Sequence, residues 1–382
     1  MKDKDLDKTY LKIENIIKNN IDVFNIPNQN NSNVNYYPDY LKNILLNYEN
    51  FFLKFLNEII DKEIPKADNN KKYLILNEIK NLNQVIISTV NKYYEGKPFD
   101  SNKIFSDGIK DRFLEFLQIE SEVPIATTFY RARIGNEKQY SKKDLFHIGF
   151  EKRHLVSTNR YSIPGIPALY LGDSAYVCWE EFNRPRFREL WFSKLENSKP
   201  LKIIEILLIN DALEKINAEN KTSRIKIIHL IRYLIYFPIT LSCTIKVKHN
   251  GSFKPEYIIS QILLEYVLKN EKIDGIKFPS TKIKYEQISN IGCYNYIFPV
   301  KTNKKEGVCD KLVESFNMTE PTSLEMLELL NNPAQPATNI YSSKKNTSQT
   351  IEFIKDEKLL YLNTSFGKIE HELSKKRMKN VL

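Results

Sequence analysis

The chain has 382 residues, of which 42% are hydrophobic and 27% charged, as in a globular protein large enough for two domains. Lysines alternating with acidic residues produce its net charge of +10, so we interpret the charge as a solvated basic surface and expect no nucleic-acid partner. Four cysteines without CxxC spacing and five scattered histidines argue against a disulfide framework and against a metal site. No apolar run approaches the roughly 20 residues of a membrane span, and the charged first residues are unlike a secretory signal. We therefore expect a cytoplasmic protein without a membrane partner.

Four amphipathic stripes predict helices in the first third of the chain. Apolar side chains recur at helical spacing over residues 5–24, 41–60, 73–93 and 103–117. Connectors at residues 25–40 and 65–70 separate the first three, and the Glu95-Gly96-Lys97-Pro98 sequence predicts the end of the third. An all-helical N-terminal domain over residues 1–122 is therefore expected, and none of its residues indicates a chemical function.

The pattern becomes mixed after this point. Strands are predicted at residues 127–134, 168–171, 190–194, 201–208, 276–279 and 294–300. Helices are predicted to run through Glu180 and Glu181 and over residues 225–236, 252–268 and 323–330. Strands scattered among helices indicate an α+β domain with a mixed sheet over residues 123–302. Residues 303–382, which contain an Asn/Ser/Thr-rich stretch, are expected to form a partly flexible tail.

The stretch over residues 157–182 carries polar groups on three kinds of element. Arg160 precedes a loop that two prolines and a glycine force out of regular structure, and Tyr170 lies in the short apolar strand that follows. A Gly-Asp-Ser break then offers a helix cap, and the next helix carries Glu180 and Glu181. A cation, a phenol and a carboxylate delivered by a loop, a strand and a helix are typical of a functional site.

Further elements before and after this stretch complete an ordered series. The series is Tyr130-Arg131 on a strand, Asn159-Arg160-Tyr161 with Gly165, Leu169-Tyr170-Leu171, Glu181, Gly275-Ile276-Lys277-Phe278-Pro279-Ser280, and Asn295 on the closing strand. This series resembles the RES-domain family, named for its Arg, Glu and Ser, whose members include bacterial toxins that consume NAD+. Two features depart from the family pattern. Thr158-Asn159 stands where the family has Gly-Gly, and the presence of two adjacent glutamates keeps Glu180 as an alternative to Glu181.

The resemblance implies an ADP-ribosyltransferase-like fold for residues 123–302. It implies cleavage of NAD+ at the nicotinamide–ribose bond, by hydrolysis or phosphorolysis, in a toxin or antiphage effector that depletes NAD+. NAD+ is then the substrate, and no metal is needed.

The same resemblance suggests a role for each matched residue. Tyr130, Arg131 and Arg160 would bind the cofactor, because guanidinium groups can hold its pyrophosphate. Tyr170 would stack on or hydrogen-bond the nicotinamide riboside. Glu181 would stabilise the oxocarbenium-like centre or orient the attacking group, and Ser280 would bind a phosphate or ribose oxygen.

Other interpretations stay open. ADP-ribosyl transfer to a protein or nucleic acid uses the same intermediate, and a non-catalytic basic module would bind nucleic acid or another partner without any reaction. The resemblance also suggests a small helix-turn-helix antitoxin as a partner, and a homo-oligomer is a further option. Taken singly, Tyr170 would be a core tyrosine, Ser280 a turn residue, and His147 a packing residue with site-lining as its alternative.

Overall fold

The computed structural model describes residues 3–26, 36–63, 69–116, 120–135, 139–247, 251–330 and 348–382. Its first helices follow the amphipathic stripes: α1 (Asp3–Asn19), α2 (Tyr37–Glu63), α3 (Asn69–Tyr94) and α4 (Pro98–Phe116). Gly96, with a φ of 75°, forms the turn after α3 where the sequence predicted a stop. Helix α4 starts five residues before the expected position, with Pro98 as its first residue, where a missing backbone N–H costs least.

Strands and helices are mixed along the chain from residue 120 onwards. They are β1 (Glu120–Val123), β2 (Thr128–Ile134), α5 (Lys142–Leu145), β3 (Ala168–Gly172), α6 (Ala175–Glu181), β4 (Leu190–Asn197), β5 (Leu201–Glu205), α7 (Ile209–Ala218), α8 (Ser223–Thr244) and α9 (Ile258–Lys269). The remainder comprises β6 (Gly275–Pro279), β7 (Ile288–Ser289), β8 (Tyr294–Pro299), α10 (Asp310–Ser315), β9 (Phe316–Met318), β10 (Thr322–Ser323), α11 (Leu324–Leu330), β11 (Thr350–Ile354), β12 (Glu357–Leu360), α12 (Ser365–Lys375) and β13 (Lys379–Asn380). Short 3-10 helices cover Ile21–Phe24, Phe150–Leu155, Phe187–Glu189, Pro255–Tyr257, Tyr285–Gln287 and Tyr361–Asn363.

The chain divides into two compact units. The first comprises residues 1–120 and 206–266, and the second comprises residues 121–205 and 267–382. The boundary after residue 120 lies close to the expected one at 122. Two other features differ from the expected division: the segment 206–266 belongs to the helical unit, and the residues after 302 belong to the sheet unit.

Buried apolar faces hold the helical unit together. In α2 the buried side chains recur every three or four residues, as a helix that presents one face to a core requires. Tyr48 of α2 is 1% exposed, and its hydroxyl donates to the backbone oxygen of Leu234 in α8 at 2.5 Å. Because α8 packs on α1, α2 and α3, and α7 packs on α8, the segment 206–266 completes this helical core.

Helix α8 is the most apolar of the long helices. By length and composition alone its 22 residues could cross a membrane, which the sequence did not suggest because Arg224, Lys226 and Arg232 interrupt the apolar run. In the structure, 72% of the 18-residue apolar stretch that meets this criterion is buried. The residues from Leu234 to Thr244 are all buried, on every side of the helix. Helix α8 is therefore a core helix of the helical unit.

A mixed sheet forms the second unit. Among the described residues its ten strands run in the order β1-β5-β6-β8-β3-β2-β4-β9-β13, with β10 also paired to β4. Strands β5 and β6 are parallel, whereas the other registered pairs are antiparallel. A second sheet has the order β12-β11-β7. Strands β9, β10 and β13 lie in the segment expected to be a flexible tail, of which residues 331–347 lie outside the described residues.

The α+β class and the helical N-terminal region are therefore confirmed. The sheet places β8 between β3 and β6, although β8 is the last of the three in sequence. This arrangement brings residues from three distant parts of the chain onto one face.

The junction of β6 and β8 gives a stability prediction. A Cβ atom on Gly275 would collide with the Ile297 carbonyl oxygen and would lie 2.7 Å from the Phe298 ring. We expect Gly275→Ala to lower the free energy of unfolding by about 1–3 kcal/mol, because a strand in a packed sheet has no room to move aside. Urea unfolding measures the change. Gly251→Ala is the control, because the nearest atom to an added Cβ there is 3.8 Å away. Equal stability of the two variants would contradict the prediction.

Candidate functional site

The turn between β3 and α6 positions the candidate carboxylates. Ser174 is the N-cap of α6: its hydroxyl accepts from the Val177 backbone N–H at 3.2 Å and donates to the Gly292 oxygen at 2.8 Å. Asp173 accepts from the Tyr294 N–H at 3.0 Å through Oδ1. The Gly-Asp-Ser break thus supplies the expected helix cap, and the start of α6 is also tied to the start of β8.

Glu181, the last residue of α6, is held by Ser280, which follows β6, and by Asn295 of β8. Its Oε1 accepts from Ser280 Oγ and from Asn295 Nδ2, both at 2.7 Å. Ser280 and Asn295 are 1% and 6% exposed, whereas the Glu181 side chain is 35% exposed. Its Oε2 lies 3.8 Å from Lys282 Nζ, which also donates to the Glu181 backbone oxygen. One carboxylate oxygen is therefore fixed, and the group keeps partial access to solvent.

Glu180 has a different environment. It is 2% exposed, and its two carboxylate oxygens accept from Arg184 Nε and Nη2, each at 2.9 Å. The hydrogen bond to Glu180 raises the pKa of Arg184 above its usual value. The guanidinium also lies 5.3 Å from the centre of the Trp179 ring. Glu180 therefore anchors the turn after α6, in which Asn183 and Arg184 both have positive φ values.

Sheet register places Tyr170 on the same face as Asn295. Gly172 pairs with Asn295, which in turn pairs with Phe278, and Tyr170 is two residues from Gly172 along β3. The Tyr170 hydroxyl donates to the backbone oxygen of Tyr161. The Tyr161 ring lies 4.2 Å from the ring of Phe278, so the loop that carries Arg160 covers this face.

Arg160 lies next to the serine of the site. It is 8% exposed, and its Nη2 donates to the hydroxyl of Thr281, the residue after Ser280, at 3.4 Å. Its loop passes through Gly165 with a φ of 78° and is held by Arg153, whose Nη1 donates to the Gly165 oxygen at 2.8 Å. The structure thus brings together Arg160, Tyr170, Glu181, Ser280 and Asn295.

In the described part of the chain, neither Arg131 nor Tyr130 hydrogen-bonds to Glu181, Ser280 or Asn295. Neighbouring strand residues face opposite sides, so these two side chains do not share a surface. Tyr130 is buried, and burial raises the pKa of its hydroxyl well above the usual value, with Glu370 adding to the effect. Arg131 Nη1 donates to the Tyr170 oxygen at 2.6 Å, and burial lowers its pKa to about 10. No hydrogen bond or ion pair among the described residues joins Arg131 to Glu181.

His147 has a structural environment. It is 2% exposed, its Nδ1 lies 2.8 Å from the Ile148 oxygen, and its Nε2 accepts from the Cys309 N–H at 2.8 Å. Burial lowers the pKa of His147 to about 4, so the ring is neutral with a proton on Nδ1. These contacts agree with the packing interpretation.

Several residues near the site carried no motif that singled them out. Lys282, Thr281 and Arg153 are such residues, and only the folded loops bring them close to Glu181 and Arg160. Arg184 belongs to this group as well: it follows Glu180 by four residues, but it lies in the turn beyond α6 with a positive φ, so the rule for ion pairs along a helix does not predict its contact.

The ion pair of Glu180 gives a second stability prediction. Arg184→Ala would leave a buried carboxylate without its partner, and we expect the free energy of unfolding to fall by about 2 kcal/mol, since water reaches the site only in part. Arg188→Ala is the control, because the Arg188 side chain is 68% exposed and pairs with Glu328 at the surface. Thermal or urea unfolding distinguishes the two. If both variants unfold at the same temperature or urea concentration as the wild-type chain, the contact with Arg184 does not stabilise the buried Glu180.

Comparison with known proteins finds one informative similarity. The chain is 34% identical over 296 residues to the Bacillus subtilis (strain 168) protein named "Putative toxin YopC". The aligned region covers 73% of this chain and 66% of the length of that protein. No family model matches the sequence, and no solved structure matches it. The chain is thus similar, over most of its own length, to a protein named as a toxin.

Proposed function

We propose that this chain is a toxin enzyme that cleaves NAD+ at the bond between nicotinamide and ribose. The observation that carries the proposal is the Glu181 carboxylate, fixed through Oε1 by Ser280 and Asn295 but still 35% exposed. Similarity to the Bacillus subtilis protein supports the toxin role, and the reaction is inferred from the site residues alone.

Two arginines supply the charge that the substrate requires. The pyrophosphate of NAD+ carries two negative charges, and guanidinium groups are well suited to bind it. Arg160 is almost fully buried within hydrogen-bonding distance of Thr281, close to the catalytic carboxylate. Arg131 contributes a buried Nε that has no hydrogen-bond partner among the described residues, and such a donor favours binding of an anion.

Glu181 acts on the positive charge that moves during cleavage. When the C–N bond breaks, its electron pair goes to the pyridinium nitrogen, so nicotinamide leaves as a neutral molecule. The positive charge then lies on the ribose ring, where a nearby carboxylate stabilises it. Water adds to the anomeric carbon and loses one proton to give ADP-ribose, whereas phosphate as the acceptor gives ADP-ribose 1″-phosphate.

The hydrogen bonds of the site refine the roles of Ser280 and Tyr170. Ser280 Oγ donates to Glu181 and accepts from the Lys282 N–H at 3.2 Å, so it positions the carboxylate and is not a nucleophile. The Tyr170 hydroxyl already donates a hydrogen bond to the backbone oxygen of Tyr161. The Tyr170 ring is therefore better suited to stack on the substrate than its hydroxyl is to donate to it.

The direct test is incubation of the purified chain with NAD+, with and without inorganic phosphate, followed by chromatography of the products. We expect nicotinamide release from the wild-type chain and a loss of about 100-fold or more in Glu181→Gln, because the amide cannot offset the developing charge. Glu328→Gln, which changes a surface glutamate, is the control.

Each result of this assay has a distinct meaning. ADP-ribose indicates water as the acceptor, and its phosphorylated form indicates phosphate. Label from NAD+ that appears on a macromolecule indicates ADP-ribosyl transfer. Equal activity of Glu181→Gln and the wild-type chain, or no nicotinamide release under any condition, contradicts the proposal.

Arg160 gives an independent prediction about binding. Removal of a buried charge-assisted donor should weaken the interaction with the pyrophosphate, so we expect Arg160→Ala to raise KM for NAD+ by about tenfold or more. Arg188→Ala at the surface is the matched control. Steady-state kinetics over a range of NAD+ concentrations measures the effect, and an unchanged KM would remove Arg160 from the binding site.

A further inference from the structure

Helix α12, near the end of the chain, packs on the helix that carries Glu181. Phe366 of α12 contacts two residues of α6: its ring lies 5.3 Å from that of Trp179 and 5.5 Å from that of Tyr176. Phe366 is 5% exposed, and Ile369 and Leu373 on the same helix are fully buried. Helix α12 is therefore an integral part of the sheet unit.

One polar contact joins the two helices at the start of α6. Glu370 Oε1 accepts from the backbone N–H of Ala175 and from the hydroxyl of Tyr361, both at 2.6 Å. Ala175 is the first residue of α6, and the first N–H groups of a helix have no partner within that helix. The Ser174 hydroxyl accepts from the Val177 N–H. At this helix end Glu370 therefore binds the first backbone N–H group, and Ser174 binds the third.

We propose that Glu370 is a positioning residue for the catalytic site, and that it fixes the direction of α6 and thereby the place of Glu181. The proposal rests on the function proposed above. It assigns a role in that site to a segment 189 residues further along the chain than Glu181, outside the range that the resemblance covers.

The length of α6 explains why such support is needed. A helix of seven residues is about 10 Å long and too short to be stable alone. A tilt of about 6° about its N-terminus would move Glu181 by about 1 Å relative to Ser280, which follows β6, and Asn295 of β8. Displacements of this size can cost about 100-fold in rate. The contacts at the start of α6 therefore bear on the chemistry at its end.

Three variants of the full chain test the proposal. Glu370→Ala removes both hydrogen bonds. Glu370→Gln keeps an oxygen that can accept them, and since burial raises the pKa of Glu370 to about 7, a neutral side chain is a close substitute. Glu372→Ala, on the same helix, alters a residue that pairs with Lys375 and serves as the control.

Hydrogen exchange by mass spectrometry reports on α6 without any need for activity. We expect exchange of the backbone amides of residues 175–181 to be about tenfold faster in Glu370→Ala, with the sheet strands unchanged. Glu370→Gln and Glu372→Ala should match the wild-type chain. Unchanged exchange over α6, or faster exchange throughout the sheet unit, would overturn the proposal.

Kinetics separate positioning from a purely structural role. We expect Glu370→Ala to lower kcat for nicotinamide release by about tenfold or more while KM changes less than about threefold, with recovery in Glu370→Gln. A wild-type kcat in a Glu370→Ala protein whose α6 exchange has changed would overturn the proposal. If the wild-type chain releases no nicotinamide, the proposed function fails. The hydrogen-exchange result over α6 then decides by itself whether Glu370 positions this helix.

Discussion

The structure of the candidate site depends on one carboxylate oxygen that accepts two hydrogen bonds. Glu181 Oε1 accepts hydrogen bonds from both Ser280 and Asn295, so a helix end, the residue after one strand and the start of another strand meet at a single atom. Each donor is buried, and burial strengthens a hydrogen bond to a charged acceptor. The three elements must therefore be placed correctly together, which makes the site sensitive to the register of the sheet and to the direction of α6.

Sheet order and register supply the first of these conditions. Strand β8 lies between β3 and β6, and its pairing sets Asn295 beside Gly172 on one side and Phe278 on the other. A shift of one residue in either pair would turn Asn295 to the opposite face. The collision that a side chain on Gly275 would cause, and the tie between Asp173 and Tyr294, both act against such a shift. Packing and polar contacts thus specify the same register.

The sequence predicts the local elements better than their assembly. Amphipathic periodicity located the helices of the first 116 residues, and β-forming runs located six strands, because both patterns arise from local geometry. The helical segment 206–266 and the strands after residue 302 were assigned to other parts of the molecule, since only tertiary packing decides which core an amphipathic element joins. Similarly, the two neighbouring glutamates are equivalent as sequence. The contrast between them appears only when Arg184 folds back onto Glu180.

Buried carboxyl groups in this unit serve geometry more than stability. A buried ion pair contributes little net free energy, but it strongly disfavours arrangements in which one partner is left alone. The pair of Glu180 and Arg184 fixes the end of α6 in this way, and Glu370 fixes its start through Ala175. A helix of two turns cannot set its own direction, so both of its ends need partners from elsewhere in the fold. The residues that place Glu181 therefore extend well beyond the motifs that identify it, and a unit defined by those motifs alone would omit α12.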